Sequence, residues 1–521
     1  MKKLILLSLF GLLIISVSNK VYGQKLDLKA SGLIDTKSYL YKNIPTSSNT
    51  SIVVHSSKPV FGVVDPDFLP TAPGTSKKAF NRTNTFMDSR GRLKFDAMMG
   101  KELSGTIYFE MDSTLWGDAP GGHGGKISER GSMGTWTGDQ AALEVKNVYI
   151  DFAIPLIPGL PSPLPVRIGL QPLSIRPNIL VYTDGTGISA AIKIDTLTIN
   201  PVWFKAVEGA TQTSDDVDIY GLNVNAKVKT LTIGGYGLYY NMNTYPLFVV
   251  TLFTPPPFGC LVMGTQKADA WWLGVYADGK MGPVDLNFDF VYDRGKVESR
   301  LTPTVPDVKY RGWATQLKVD YPWEKFNFGL VGMYASGADL RKTSASGLPG
   351  TNAQYGGALS TKVYTYVTPP GSESFAGFAE GLVYYPTWVN NSNLAFYTPT
   401  YLSMGRGAIG GTWMAKLYGS YKATPWYKLT LQGMYIGDTT KHGNTSGNAV
   451  KPGTSIPRDD HTIGWEFGFI NEINLYKNVK LDIGAGILFA GDALDYQVPT
   501  TTTNKSPSSL WCITTRLAYT F

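Results

Sequence analysis

Trp511–Phe521 reads WCITTRLAYTF, and its alternation decides the fold. Trp511, Ile513, Thr515, Leu517, Tyr519 and Phe521 form one mostly apolar, aromatic-rich face, while Cys512, Thr514, Arg516, Ala518 and Thr520 form the other. A period of two predicts a β-strand with one face withdrawn from water. Either a sandwich core or lipid around a closed barrel would cover such a face. A strand that stops on an aromatic favours the barrel, with Tyr519 and Phe521 as the residues that barrel-assembly machinery would read.

The opposite end agrees. Lys2 and Lys3 precede an apolar run from Leu4 to Val17, and Val21-Tyr22-Gly23 offers a small residue before a cut, so residues 1–23 read as a secretory signal peptide. No Cys follows the run to accept a lipid, and no later window holds eighteen uninterrupted apolar residues. A membrane crossed by residues 24–521 must therefore be crossed by strands.

Working outward from the terminus, the same period recurs. Leu93, Phe95, Ala97 and Met99 alternate with Arg90, Arg92, Lys94 and Asp96; a turn at Gly100–Glu102 follows; Ile107, Phe109 and Met111 then alternate with Thr106, Tyr108, Glu110 and Asp112. Val284, Leu286, Phe288, Phe290 and Tyr292 interleave with Asp285, Asn287, Asp289 and Asp293, and Val479, Leu481, Ile483, Ile487 and Phe489 with Lys480 and Asp482. One side is too polar for a parallel α/β core. Strands start near residues 25, 84, 102, 140, 163, 186, 196, 217, 230, 266, 282, 309, 325, 401, 425, 461, 478 and 510. The pattern predicts an all-β, transmembrane, antiparallel, up-and-down β-barrel of about 18 strands, with 16 as the alternative.

Connections alternate between short turns and long loops, the latter at 41–83, 116–139, 244–265, 338–400, 438–460 and 491–509. That asymmetry matches short periplasmic turns and long extracellular loops. Parity slips near Asn147 and Pro201 predict bulges. TDGTG at 183–187 reads as a tight surface turn rather than a calcium loop.

Composition narrows the function. Gly 57, Tyr 30 and Trp 12 suit tight turns and interfacial aromatics. The net charge of +7, or +4 without Lys2, Lys3 and Lys20, is spread singly with no basic block, which argues against nucleic acid. The four histidines, His55, His123, His442 and His461, fall in no HExxH spacing and no G-x-S-x-G elbow appears, so no enzyme is expected. GAGILFAG at 484–491 lies in a strand and reads as small inward residues, not a dinucleotide fingerprint. No cofactor and no metal is implied.

SRGRLKFDAMMGKELSGTIYFEMDSTLWGD (89–118), LEVKNVYIDFAIP (143–155), VRIGLQPLSI (166–175), GMYASGADL (332–340), AGILFAGDAL (485–494) and the terminal RLAYTF resemble the outer-membrane homotrimeric porins of sulfate-reducing and related Gram-negative bacteria. The resemblance implies a homotrimer of water-filled barrels in the outer membrane, in contact with its lipid, passing small hydrophilic solutes. It does not extend to 41–83, 244–265 or 341–400.

With the charged faces inward, Arg90, Arg92 and Lys94 would stand nine strands from Asp285, Asp289 and Asp293. The two sets would then line a constriction with a transverse field; the plainer reading makes them ordinary solvated lumen charges. Glu110, Asp112, Arg167, Lys227, Lys318, Lys416, Glu466, Asp482 and Arg516 also fall inward, mixed in sign. The apolar loop 244–265 would fold into the barrel mouth, tied by a Cys260–Cys512 disulfide, or else both thiols are free and the loop packs on a neighbouring subunit. Three functions fit: a passive diffusion porin first, a channel selective for sugars or small organic acids second, and a structural or adhesive barrel with an occluded lumen third.

Overall fold

The computed structural model describes residues 25–43, 83–116, 143–155, 163–209, 213–251, 260–298, 300, 307–343, 362–372, 380–389, 406–498 and 503–521. The expected signal peptide lies outside them, as does most of the loops 41–83 and 116–139. Among the described residues no helix is long and apolar enough to cross a membrane.

Alternation produces strands almost throughout. In chain order they are β1 Leu26–Lys42, β2 Thr83–Met99, β3 Leu103–Leu115, β4 Glu144–Ile154, β5 Leu164–Ile175, β6 Val181–Ala190, β7 Leu197–Val207, β8 Val217–Val228, β9 Leu231–Thr251, β10 Cys260–Met281, β11 Val284–Glu298, β12 Val308–Trp323, β13 Phe326–Ala335, β14 Thr412–Thr424, β15 Tyr427–Asp438, β16 Thr462–Tyr476, β17 Val479–Ala490 and β18 Leu510–Thr520. Ile192–Ile194 prolongs β6, and Lys362–Val363 of an inward loop adds a two-residue parallel contact to β12. The remaining eighteen strands form the wall. Each pairs antiparallel with its neighbours in sequence, and β1 pairs both β2 (Leu26↔Met99) and β18 (Leu33↔Thr520). The sheet closes on itself, leaving no edge whose N–H and C=O groups lipid would strand.

Turns at one end are short because their residues accept the backbone they need. Gly100 and Gly282, at φ 65 and 63, occupy the left-handed region without a Cβ penalty. The outward face is apolar: Leu93, Phe95, Ile107, Leu273, Leu330, Leu417, Phe467 and Leu517 are all exposed there. Two aromatic belts bound it. Tyr239 stacks on Trp271 at 4.0 Å, Trp313 on Tyr334 at 4.7 Å, and Trp465 lies against Tyr435 at 4.9 Å, all towards the loop end. Trp323, Phe326 and Tyr421 cluster at the turn end. Trp313 and Trp323 lie on one strand, ten residues apart. At about 3.3 Å per residue and a tilt of roughly 40° they are separated by about 25 Å along the axis, the height of an outer-membrane apolar band.

Several boundaries differ from the sequence reading. TDGTG is no turn: it runs inside β6, with Thr183 opposite Leu173 and Gly185 opposite Gln171, and the connection is Arg176–Leu180. A ladder to β5 outweighs the local turn preference of Asp and Gly. β14 starts at Thr412, not near 401. Of the expected mouth loop 244–265, residues 244–251 and 260–265 are strand instead: β9 and β10 stay paired to Thr251↔Cys260, because a Val/Leu/Phe-rich run makes good strand whether or not lipid surrounds it, and 252–259 lie outside the described residues. The slip near Asn147 is a bulge opposite Tyr108/Phe109. The second bulge falls between Lys205 and Val207 rather than at Pro201, which stays in register with Leu222.

Candidate solute path in the barrel lumen

Alternation carries polar residues inward on every strand, and the lumen divides into a filled side and a charged side. The filled side is built by the loop 336–411 between β13 and β14. Its Tyr366, Val367, Val383, Tyr384 and Tyr385 are fully buried, packed with inward Leu238, Tyr240 and Trp272 and with Ile179 and Leu180 of the β5–β6 connection. The Tyr366 hydroxyl donates to the Ile179 carbonyl at 2.5 Å. Sequence reading placed a long loop at 338–400 without resolving where it goes; its described parts 362–372 and 380–389 lie inside the barrel, while 338–343 stay at the rim.

Asp285, Asp289 and Asp293 do point inward on β11 and stand nine strands from β2, but they do not form one side of an open constriction. Asp285 sits beside the turn, half exposed, with Lys280 at 3.2 Å. Asp289 is buried under Arg176, which donates to it at 2.5 and 2.6 Å and to Asp278 at 2.5 and 3.0 Å. Burial works against the Arg176 charge, but the two carboxylates outweigh it and hold the guanidinium firmly protonated. Asp293 is buried too, accepting the Gly312 N–H at 2.9 Å and the Val367 N–H at 3.2 Å.

Arg90, Arg92 and Lys94 lie on the charged side. Glu110 on β3 gathers Arg92 at 2.6 Å, Arg90 at 3.3 Å and Lys146 at 2.8 Å; Lys146 also reaches Asp184 at 2.9 Å, and Lys94 pairs with Asp96 at 2.9 Å. Across the closing seam, Asp35 holds Arg516 at 2.8 Å and Lys37 at 3.8 Å. The acids are sunk and the bases stand over them: side-chain exposure is 4% for Asp35 and 6% for Glu110, against 43% for Arg516, 28% for Arg90, 26% for Lys37 and 21% for Arg92. Formal charge nearly balances on this wall, yet water meets its cationic ends. Above Lys37 and Arg90, Tyr39 stacks on Phe86 at 4.6 Å.

Cys512 is a free, buried thiol whose Sγ donates to the Leu382 carbonyl at 3.1 Å. The disulfide to Cys260 is therefore not made; Cys260 opens β10, eight strands away around the wall. Tyr519 and Phe521 both face outward at the turn end, partly exposed. Sequence reading missed Lys37, Asp35, Lys146, Asp184, Arg176 and the Tyr39/Phe86 pair. The first two were legible in the parity of β1, and the parity slip near Asn147 marks the bulge at Lys146 without its ion pairs, whereas the contact of Arg176, 113 residues from Asp289, leaves no periodic trace. Among the described residues no group of His, Cys, Asp and Glu could hold a metal ion.

No protein-family model and no curated protein matches the chain. Its fold is similar to solved Pseudomonas aeruginosa structures, each covering 95% of this chain and 98% of its own: OccK9 (OpdG) at TM-score 0.47 and 10% identity, OccK8 (OprE) at 0.46 and 11%, and OpdK with vanillate at 0.43 and 10%. The closed strand pairing, rather than these likenesses, establishes the barrel.

Proposed function

We propose that this chain is an outer-membrane channel through which small hydrophilic solutes pass down their gradient, with anions favoured along the β18–β1–β2–β3 wall. The observation that carries this reading is the wall itself. Inside a closed barrel with an apolar exterior, Arg516, Lys37, Arg90 and Arg92 remain reachable by water while their acidic partners do not. An anion beside that wall meets cations in a space whose low-dielectric surroundings focus their field. Arg90, Arg92 and Lys94 are the residues assigned to the path, without Asp289 and Asp293 opposite them.

A second reading, a channel selective for small organic acids, is favoured by the Tyr39/Phe86 pair beside Lys37. It offers an apolar rest next to a cation. The homotrimer, the cleaved signal and recognition of Tyr519 and Phe521 by assembly machinery belong to the same proposal.

Conductance of the purified protein in a planar bilayer tests it, with reversal potential read across a potassium chloride gradient. Ohmic steps in groups of three with a reversal potential on the anion side are expected. Block by one class of organic acid would move the reading to the selective channel, and silence of correctly folded protein would indicate an occluded structural barrel.

A further inference from the structure

Above the loop-end aromatic belt, the outward face of β11 and β12 carries a square of cations. Cross-strand register sets Arg294 directly opposite Arg311 and, two residues further up, Lys296 opposite Lys309. All four share the outward parity of Tyr292 and Trp313, which face each other in the row beneath. Directly paired residues on one face of a sheet are about 5 Å apart, and like charges so placed destabilise the strands that bear them.

The chain does not supply enough acid to relieve this repulsion. Lys296 has Glu298 at 2.9 Å and Asp307 at 3.2 Å. Among the described residues, Arg294, Arg311 and Lys309 have no acidic partner, and all three are exposed. Other cations of the loop-end rim are answered: Lys205 by Asp216 at 2.9 Å, Arg341 by Asp339 at 3.0 Å and Arg458 by Asp495 at 2.8 Å. Two guanidinium forks held side by side by the sheet, with an ammonium above them, make a surface suited to the oxygens of a phosphate.

Height separates the candidate anions. Trp271 lies beside Arg294 in the same row, and Trp313 lies two residues below Arg311. Tryptophan and tyrosine at a barrel rim sit at the level of the lipid headgroups. At about 3.3 Å per residue and a tilt of roughly 40°, the arginine row stands about 5 Å and the lysine row about 10 Å above the Tyr292–Trp313 row, within reach of headgroup phosphates for side chains this long. The patch faces away from the lumen, so a solute in the channel does not meet it.

We infer that Arg294, Arg311 and Lys309 form a binding site for the phosphate of an anionic lipid in the leaflet on the loop side, above the Trp271 and Trp313 rings. The bound phosphate offsets the repulsion between the paired cations and anchors this side of the barrel at the membrane surface. The site rests on the barrel standing in a membrane, not on conduction.

The test uses full-length protein in detergent, with barrel closure checked by heat-modifiable gel mobility and bound lipid counted by native mass spectrometry. Wild type should retain phosphatidic acid over phosphatidylcholine by about tenfold, and Arg294→Gln with Arg311→Gln should abolish that preference, as loss of charge-assisted contacts would. Arg294→Lys with Arg311→Lys keeps the charge without the forks and should retain part of it. Lys205→Gln, which removes a paired rim cation, should leave it unchanged. Phosphatidic acid should also raise the gel-mobility transition of wild type and not that of the double Gln variant, since a ligand stabilises the state that binds it. Equal retention of the two lipids by wild type, or a preference that survives the double Gln variant, would overturn the site. Displacement of phosphatidic acid by millimolar inorganic phosphate would overturn the assignment to a lipid and make the ligand a free anion. Loss of an oligomer in the double Gln variant with lipid retention unchanged would assign the patch to a subunit contact instead. Removing a like-charge pair relieves repulsion, so this variant is expected to assemble; should it not, Arg311→Gln alone should lose most of the preference. None of these readouts needs current, so a silent wild type would refute the channel reading and leave the lipid site standing.

Discussion

Arg516 on the last strand donates to Asp35 on the first at 2.8 Å, so an ion pair bridges the seam at which the barrel closes. Asp35 is the more deeply buried partner. Removing Arg516 leaves that carboxylate, among the described residues, with Lys37 at 3.8 Å as its remaining ion-pair partner, an under-compensated buried charge. Arg516→Leu should destabilise the closed barrel by about 2 kcal/mol. The gel-mobility transition should fall in temperature, and Asp35→Asn in the same chain should restore part of the loss.

Reversing Arg92 tests the exposed end of the Glu110 cluster. Arg92→Glu would set two carboxylates beside Arg90 and Lys146, turning a cationic surface into an anionic one. The cation-to-anion permeability ratio should rise by about fivefold at low salt, the size of a nearby charge in a water-like medium, and the change should shrink as salt is raised. A reversal potential that does not move would remove Arg92 from the solute path.

Cys512 should be unreactive in the folded protein. It is buried, with its S–H on the Leu382 carbonyl, so maleimide should label it only after denaturation. Peptides digested without reduction should contain no Cys260–Cys512 species. A bridged peptide would contradict the Leu382 contact directly.

The wall was legible because its physics is local and periodic. Arg90 with Leu93, or Asp285 with Leu286, already states which side meets water, and short turns alternating with long loops state the direction. Residues that cap inward charges were not legible. Asp289 reads as an open lumen acid until Arg176 is seen over it, and Asp293 until Val367, 74 residues on, is seen bound to it. The apolar run after Tyr245 is ambiguous in another way: its apolarity suggests a need for burial, while its Val and Phe content favours continued pairing with β10. GAGILFAG was placed correctly as small inward residues, but their occupant, Leu382, comes from a loop that the strand pattern does not describe.

The loop rim at Asp339 gives a pH dependence outside the spanning strands. Burial raises its pKa, but hydrogen bonds and charge from Arg341, with His442 nearby, prevail and lower it from 3.8 to about 2. Oδ1 accepts from the Arg341 N–H and Nε, both at 3.1 Å. A lowered carboxyl pKa contributes stability fully above the unfolded value and loses it as pH falls through the folded one. The rim should therefore resist pepsin at pH 4, open progressively below that, and be cut at Leu340 near pH 2. Asp339→Asn should be cut across the whole range.

Phe521 allows two roles to be separated. Its backbone exchanges hydrogen bonds with Gly32, N to O at 3.1 Å and O to N at 2.8 Å, and its ring covers the place where a Gly32 side chain would stand. If the terminal aromatic serves only packing, Phe521→Ala should lower both the stability of refolded protein and the amount found in the outer membrane. If it is read during assembly, the amount in cells should fall several-fold while the refolded barrel loses only about 1 kcal/mol, since a ring that remains half exposed contributes less than a buried one. Gly32→Val displaces the ring but leaves the aromatic in the sequence. Normal outer-membrane levels for Gly32→Val beside low levels for Phe521→Ala would assign the residue to recognition, and equal losses in both would assign it to packing.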